Sequence, residues 1–416
     1  MKAIKVLSIV ALFCILFTSV MTGCATVTDD PNSTTTASPD QTTEATDAGF
    51  KFESWSISGE DISKYTIIYN PTLSADLVSK YKQFLNDEYD HNRVTAQRLA
   101  DLISANFGVE LSVRPDTSTA VGEYEILVGM TNRAETKTST VTSLSEDAYV
   151  LAVSGKKLVV CGGCAGSTYH AVDAIETSFE QAKASKTAKV EWTDTTNLSG
   201  EYKMKRIACI GDSITEGAGA TDKAYLAYPA QLQRIVWRDY LVYNYGKGGT
   251  TMRTDRGNPY MNSEPYSNCI KSGKSYDLIL VMLGTNDSYK RTEPFNDADN
   301  QAFVSSCFTL FRSLKAKSPN AKYVLMNCPV NFADYGHAQP YIRDVQKTAA
   351  ISMNERGFET YLYNMFEFTT KFLGKENFPD KTHPGDKGYM LIAGAVADLV
   401  AAVMDGEENE YMIPLD

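Results

Sequence analysis

The sequence predicts an α/β protein: a doubly wound parallel sheet of five strands with helices on both faces, preceded by a small α+β domain. Three observations point there. Beyond residue 48 the chain continues for about 365 residues, more than one hydrophobic core usually serves, which favours two domains. From 205 to 404, short apolar segments rich in β-formers alternate with helix-length stretches, the pattern of βαβ units and so of a parallel sheet. At Lys205-Arg-Ile-Ala-Cys-Ile-Gly-Asp-Ser-Ile-Thr-Glu-Gly217 an apolar run, Ile207 to Ile210, stops at Gly211 and meets Asp212-Ser213 before helix-compatible residues resume, which reads as strand, sharp turn, helix.

Residues 1–24 read as an export signal: Lys2 and Lys5 precede an apolar region, Val6 to Val20, too short to span a bilayer comfortably. The segment ends Met21-Thr-Gly-Cys24, which resembles the bacterial lipobox with Met21 in place of the usual Leu; that resemblance implies lipid attachment at Cys24 and a place on the outer face of the cell membrane. Simple secretion with cleavage near Ala25 is the alternative. Residues 25–48 are Thr, Ser, Asp and Pro with almost nothing apolar to bury, so a flexible tether is expected.

The composition, 43% hydrophobic and 22% charged, is that of an ordinary globular protein. A net charge of -11 argues against a nucleic-acid partner, which needs a basic footprint. Of eight cysteines, Cys14 and Cys24 lie in the signal region; Cys161, Cys164, Cys209, Cys269, Cys307 and Cys328 are irregularly spaced and read as buried free thiols. Cys161-Gly-Gly-Cys164 lacks a second ligand pair, so a turn is expected there, with a local disulfide left open.

The first domain spans 49–197. Strands are expected at Tyr65 to Tyr69, Glu110 to Val113 and Tyr124 to Val128, one or two helices between Ala75 and Asn106, a hairpin of Ala148 to Val153 with Lys157 to Val160 about Ser154-Gly155, and an amphipathic helix from Tyr169 to Gln181. His91 is expected on an exposed helix face and His170 at the opening of the last helix, neither as a catalyst. The layout, with Glu125-Ile-Leu-Val-Gly-Met130 and Leu158-Val-Val-Cys-Gly-Gly163, resembles the small α+β domain that precedes the barrel in some glycoside hydrolases, such as α-glucuronidases and hexosaminidases. That likeness implies a carbohydrate-handling context.

Thr193 to Tyr202 is polar, contains Gly200 and reads as the linker into the second domain, 203–408. After the 205 strand come apolar segments at Tyr240 to Tyr243, Leu278 to Met282, Lys322 to Met326 and Glu359 to Tyr363, with helices expected at Tyr225 to Trp237, Gln301 to Lys317, Tyr341 to Arg356 and Gly385 to Met404. In such a sheet, ligands bind outside the carboxyl ends of the strands.

Those ends carry Gly211-Asp-Ser213, Asn244-Tyr-Gly-Lys-Gly-Gly249 and Gly284-Thr-Asn-Asp287, and before the last helix stands Asp380-Lys-Thr-His-Pro384. Acyl transfer needs a nucleophile, a base, a group that orients the base and donors for the oxyanion. Ser213 is the candidate nucleophile; Ser213-Ile-Thr-Glu216 equally fits a capping box. His383 with Asp380, or His337 with Asp334, can supply the base and its partner, and Pro384 favours the former by fixing the loop. Gly249 permits a close backbone N–H, Asn286 offers a side-chain amide, and the N–H of Ser213 is a third donor.

The four blocks, in order over about 200 residues, resemble the SGNH hydrolase superfamily, also called GDSL-type esterases. The resemblance implies a flavodoxin-like three-layer fold, a Ser213-His383-Asp380 triad, an oxyanion hole using Gly249 and Asn286, and no required cofactor or metal. It places the base at His383, and it selects Gly249 over Gly246 and Gly248.

The expected function is a lipid-anchored, extracellular serine esterase removing short acyl groups, acetyl foremost, from an acylated polysaccharide or small ester. Three other readings stand beside it: a lysophospholipase or thioesterase on the same triad, a hydrolase with a cation held by Asp212, Asp287, Asp380 and His383, and a non-catalytic glycan-binding protein. For substrate, the long connection from Thr250 to Lys274 with Tyr260 and Tyr266, and the aromatics Tyr289, Phe332 and Tyr335, follow strand ends where they can shape a site.

Overall fold

The computed structural model describes residues 50–85, 87–289, 291–333 and 339–415. The export segment and tether expected at 1–48, together with Asp334, Tyr335 and His337, lie outside them. The described residues form one compact unit built on two large sheets and a small one.

The first part contains β1 (Ser54–Ile57), β2 (Glu60–Asp61), β3 (Thr66–Tyr69), β4 (Val113–Pro115), β5 (Glu125–Val128), β6 (Ala148–Ser154), β7 (Lys157–Gly162), β8 (Lys189–Trp192) and β9 (Asn197–Glu201). Six of them make a sheet in the order β4-β3-β5-β7-β6-β9, with β1 between β2 and β8 in a separate ribbon. Helices His91–Phe107 and Ala165–Ala184 supply Leu99, Ile103, Val172 and Phe179 to a core shared with Ile67, Ile126, Val160 and Trp55.

Three expectations shift here. The one or two helices expected between 75 and 106 form as two, Ala75–Lys80 and His91–Phe107, whereas the strand expected at 110–113 forms at Val113–Pro115. The last helix begins at Ala165, capped by Cys164, whose sulfur accepts the Ser167 N–H at 3.4 Å. The segment read as a linker contributes β9, an edge strand paired with β6. Its Asn-Leu-Ser-Gly-Glu sequence carries no alternation because almost none of it is buried; ladder hydrogen bonds hold it, and Gly200 leaves room for Tyr149, whose hydroxyl a Cβ there would meet at 2.4 Å.

The second sheet holds β10 (Lys205–Gly211), β11 (Tyr240–Gly246), β12 (Leu278–Met282), β13 (Lys322–Met326), β14 (Thr360–Tyr363) and β15 (Met412–Ile413) in the order β11-β10-β12-β13-β14-β15. The first five are parallel, as the alternation of strands and helices predicts. The sixth is antiparallel and extends the fold past 408; two residues are too few to show a period.

Strand residues sort by parity. Ile207, Cys209, Leu278, Leu280 and Met282 face the helices Tyr228–Ile235 and Asp386–Asp405, whereas Ala208, Ile210, Ile279 and Val281 face Asp297–Lys315 and Gln339–Glu355. The result is an α/β/α sandwich with an apolar core on each side of the sheet. Each fully buried aliphatic side chain contributes roughly 1.5–3 kcal/mol, so the two cores fix where the strand ends converge. Helix Asp386–Asp405 is apolar nearly all round because it lies in one of those cores. Strand order reverses between β10 and β12, which opens a crevice at their carboxyl ends.

Candidate active site

Gly211 closes β10, and a Cβ there would meet Thr215 Oγ1 at 2.0 Å, so the tight turn requires glycine. The capping box proposed for Ser213 and Glu216 does not form. Asp212 is the N-cap, its Oδ1 accepting the Ile214 N–H at 3.0 Å, and Glu216 turns instead to accept the Gly248 N–H at 3.1 Å. With capping done by Asp212, the Ser213 hydroxyl is free for another partner.

That partner is His383, whose Nε2 lies 2.8 Å from Ser213 Oγ. On the far side of the ring, Nδ1 lies 2.6 Å from Asp380 Oδ2. Asp380 Oδ1 also accepts the backbone N–H groups of His383 at 2.7 Å and Thr382 at 2.9 Å, a local turn that passes through Lys381 at φ 69. Burial raises the Asp380 pKa, but the hydrogen bonds from the His383 ring and the two backbone amides outweigh it and hold the carboxyl below its ordinary value. An ionised Asp380 accepts a hydrogen bond from an Nδ1–H and so keeps the proton on that nitrogen, which leaves Nε2 as the acceptor for the serine hydroxyl. The loop is pinned to the serine turn: Asp386 accepts from Thr221 N and Oγ1 at 2.8 Å each, the Tyr389 hydroxyl donates to Ala218 O at 2.6 Å, and a Cβ on Gly219 would meet Pro384 O at 2.5 Å.

The loop after β11 passes over the serine turn. A Cβ on Gly246 would meet Glu216 N at 2.1 Å, and one on Gly248 would come 3.6 Å from Ser213 Cβ. Gly248 spends its N–H on Glu216, whereas Gly249, at φ +75, has an N–H with no acceptor among the described residues. Asn286, just beyond β12, donates one amide N–H to Thr250 O at 2.8 Å and keeps a second donor. Asp287 next to it accepts the N–H groups of Met252 and Arg253 at 2.9 Å each, tying the glycine loop to the end of β12. Arg253 is locked in turn by Asp255 at 2.6 Å and by Asp299, which Arg291 also grips.

Two buried carboxyls, Asp212 and Asp287, stand beyond the ends of β10 and β12. Burial raises the Asp287 pKa despite its two backbone donors. Asp212 is fully buried, and burial pushes its pKa up to about 6, offset only in part by the Ile214 N–H and the nearby Thr285 hydroxyl; its Oδ2 makes no aligned hydrogen bond.

The structure therefore brings Ser213, His383, Asp380, Gly249 and Asn286 to one place. It does not assemble the cation site read from Asp212, Asp287, Asp380 and His383: among the described residues no three such groups converge, and the Asp287 and Asp380 oxygens are engaged by backbone amides and the imidazole. Tyr260 is buried, its hydroxyl bonded to Tyr245 O at 2.7 Å, and Tyr266 packs on it, so both serve the core. Phe332 packs edge-on against Phe378, whereas Tyr289 is 49% exposed. Cys161 and Cys164 are free thiols, as are the other four described cysteines. His91 is buried rather than exposed, stacked on Trp237 at 4.3 Å, and His170 lies within its helix between Asp173 and Asp239. The Glu216–Gly248 bond and the Arg253–Asp299 pair escaped sequence reading because each joins segments brought together only by the sheet.

Residues 209–391 match the GDSL-like Lipase/Acylhydrolase family. An acetylxylan esterase of Xylanibacter ruminicola is 42% identical over 83 residues, 20% of this chain and 17% of that protein, so the chain spans about a sixth of that relative's length. Among solved structures, a family two carbohydrate esterase from Clostridium thermocellum in complex with cellohexaose is 18% identical, with a TM-score of 0.39 over 50% of this chain and 68% of its own. An acetyl xylan esterase from the rumen bacterium Butyrivibrio proteoclasticus is 18% identical, TM-score 0.34, over 50% and 67%. An aryl esterase of M. smegmatis is 17% identical, TM-score 0.38, over 48% and 100%.

Proposed function

We propose, from the premise that residues 209–391 make a GDSL-like acylhydrolase domain, that this carboxylic ester hydrolase is a serine esterase that removes short acyl groups, acetyl foremost, from carbohydrate. The observation that carries it is the unbroken relay from Asp380 through His383 to Ser213 Oγ, with the unbonded Gly249 N–H beside it. His383 Nε2 takes the serine proton as Oγ attacks the ester carbonyl, and Asp380 steadies the imidazolium that forms. The Gly249 and Ser213 N–H groups and the spare Asn286 donor face the developing oxyanion. The same histidine then returns its proton to the leaving sugar hydroxyl and activates a water to release the acid.

The carbohydrate substrate is supported by the acetylxylan esterase likeness, which covers only a part of each protein. The lipid anchor at Cys24 and the extracellular location are supported by the N-terminal sequence alone. Acetate release from acetylated xylan, and hydrolysis of a p-nitrophenyl acyl series, compared between wild type and Ser213→Ala, tests the reading. Serine-dependent acetate release supports it. Rates rising steadily with acyl length would replace it with a lipid or thioester substrate, and no hydrolysis of any ester would leave a glycan-binding protein. Loss of lipid labelling in Cys24→Ser cells tests the anchor.

A further inference from the structure

A cleft of about 410 Å3 opens where residues 72–91 of the first part meet the helices of 223–235 and the edge strand β11. Tyr89, His91, Lys223, Tyr225, Gln233 and Arg234 line much of it. Arg234 is only 8% exposed, yet among the described residues no carboxylate pairs with it. Its Nη2 donates to Tyr225 O at 2.5 Å, its Nε has no partner, and the Tyr89 ring lies 5.9 Å away. His91, also 8% exposed, leaves Nε2 without a partner at the same place. A guanidinium buried without a counter-charge is costly unless something neutralises it.

Asp90 and Asp222, next to the lining residues His91 and Lys223, are engaged elsewhere. Asp90 Oδ1 accepts from Thr72 N at 2.9 Å and Thr72 Oγ1 at 3.1 Å, and Asp222 is divided between the Ala224 N–H at 3.1 Å and the Tyr81 hydroxyl at 3.1 Å. In a chain of net charge -11, Arg234 is the cation of this notch that no carboxylate among the described residues pairs with, whereas Lys223 is shared with Glu216. The notch is also linked to the turn that carries Ser213. Lys223 Nζ lies 3.6 Å from Glu216 Oε2, the oxygen that holds Gly248 beside Ser213, and Asn244 on the cleft wall donates to Thr215 O at 2.9 Å.

We infer that this cleft is a subsite for a carboxylate-bearing sugar residue of the acylated glycan, with Arg234 and Lys223 facing the carboxylate and the Tyr89 and Tyr225 rings flanking the sugar. The space is far larger than an inorganic anion needs, and aromatic faces beside a fixed cation suit a charged pyranose. Naming a glycan rests on the esterase reading; the unmet charge of Arg234 does not.

The test is titration calorimetry of the full chain at low and moderate salt. The probes are a xylo-oligosaccharide bearing one glucuronic acid, the same oligosaccharide without it, and inorganic phosphate. The acidic oligosaccharide should bind about tenfold more tightly than the neutral one, with the advantage shrinking as salt rises and vanishing in Arg234→Gln. Should that variant fail to fold, Lys223→Gln, at an exposed position, should lose about threefold. Equal affinity for the two oligosaccharides, or a preference that survives both substitutions, overturns the inference, as does binding of phosphate alone. Binding needs no turnover and should persist in Ser213→Ala, so an inactive enzyme that still prefers the acidic sugar would sink the esterase reading and leave the subsite standing.

Discussion

Glu216 Oε2 accepts the backbone N–H of Gly248 at 3.1 Å, and this one bond decides which glycine amide is left for a substrate. It occupies the Gly248 donor, fixes the loop over Ser213 and leaves the N–H of Gly249 unbonded. Glu216→Ala should free the Gly248 amide and let the loop drift. Removing an oxyanion donor outright costs about 10²–10³ in kcat, so loosening one should cost about tenfold, with KM within about twofold. Steady-state rates on p-nitrophenyl acetate check this, and an unchanged kcat would show that the loop holds itself.

Ser213→Ala and His383→Ala should each lower kcat by about 10⁴ or more, and the double variant should be little worse than either, since the two act as a unit. Asn286→Ala should cost about 10²–10³. It also removes the bond to Thr250 O, so part of that loss is the loop's. Additive losses in the Ser213 and His383 pair would deny that they share one step.

Asp212 gives a pH signature of stability. Its folded pKa, raised to about 6 by burial, exceeds that of the unfolded chain, so its favourable contribution is present at low pH and is lost as pH rises through about 6. Above that, folding holds a buried charge beside Asp287. Asp212→Asn keeps an oxygen for the Ile214 N–H and removes the charge, so its Tm should exceed wild type at pH 8 and match it near pH 4. A variant less stable at pH 8 would mean that the ionised carboxylate has a partner that favours it.

What could be read from the sequence follows from how local each feature is. Ser213 sits on a turn announced by Gly211, and Asp380 reaches His383 within one turn of chain, so both were legible. The parallel sheet showed in short, wholly apolar runs such as Leu278–Met282, buried on both faces, that alternate with helix-length stretches. Exposed β9 carries no such signal because almost none of it is buried, and β15 is too short to show a period although Met412 and Ile413 pack on the two cores. Burial of His91 escaped notice for a different reason: its cover, Trp237, comes from 146 positions further along, and nothing near Asp-His91-Asn announces it.

His170 shows how the same blind spot hides a pH-dependent contact. Its Nδ1 lies 2.6 Å from Asp173 and its Nε2 3.3 Å from Asp239, poorly aligned, while the ring stacks on Tyr202 with centroids 3.4 Å apart. Tyr202 precedes β10, and Asp239, just before β11, accepts the Lys205 N–H of β10 at 2.9 Å, so the histidine ties the last helix of the first part to the strand that leads into Ser213. Burial works against the imidazolium, but Asp173 and Asp239 outweigh it and raise the pKa to about 9, even though Arg98 competes for Asp173. A pKa raised above the unfolded value near 6.5 contributes stability that is whole below about 6.5 and is lost as pH climbs through about 9. The Tyr202 hydroxyl, bonded to Asp239 at 2.6 Å and raised further by burial, does not titrate in that window. Wild type should therefore lose Tm between pH 6.5 and 9 relative to His170→Gln, whose neutral side chain cannot follow the proton. Parallel Tm curves for the two proteins would show that the ring is held by its stack on Tyr202 and not by its charge.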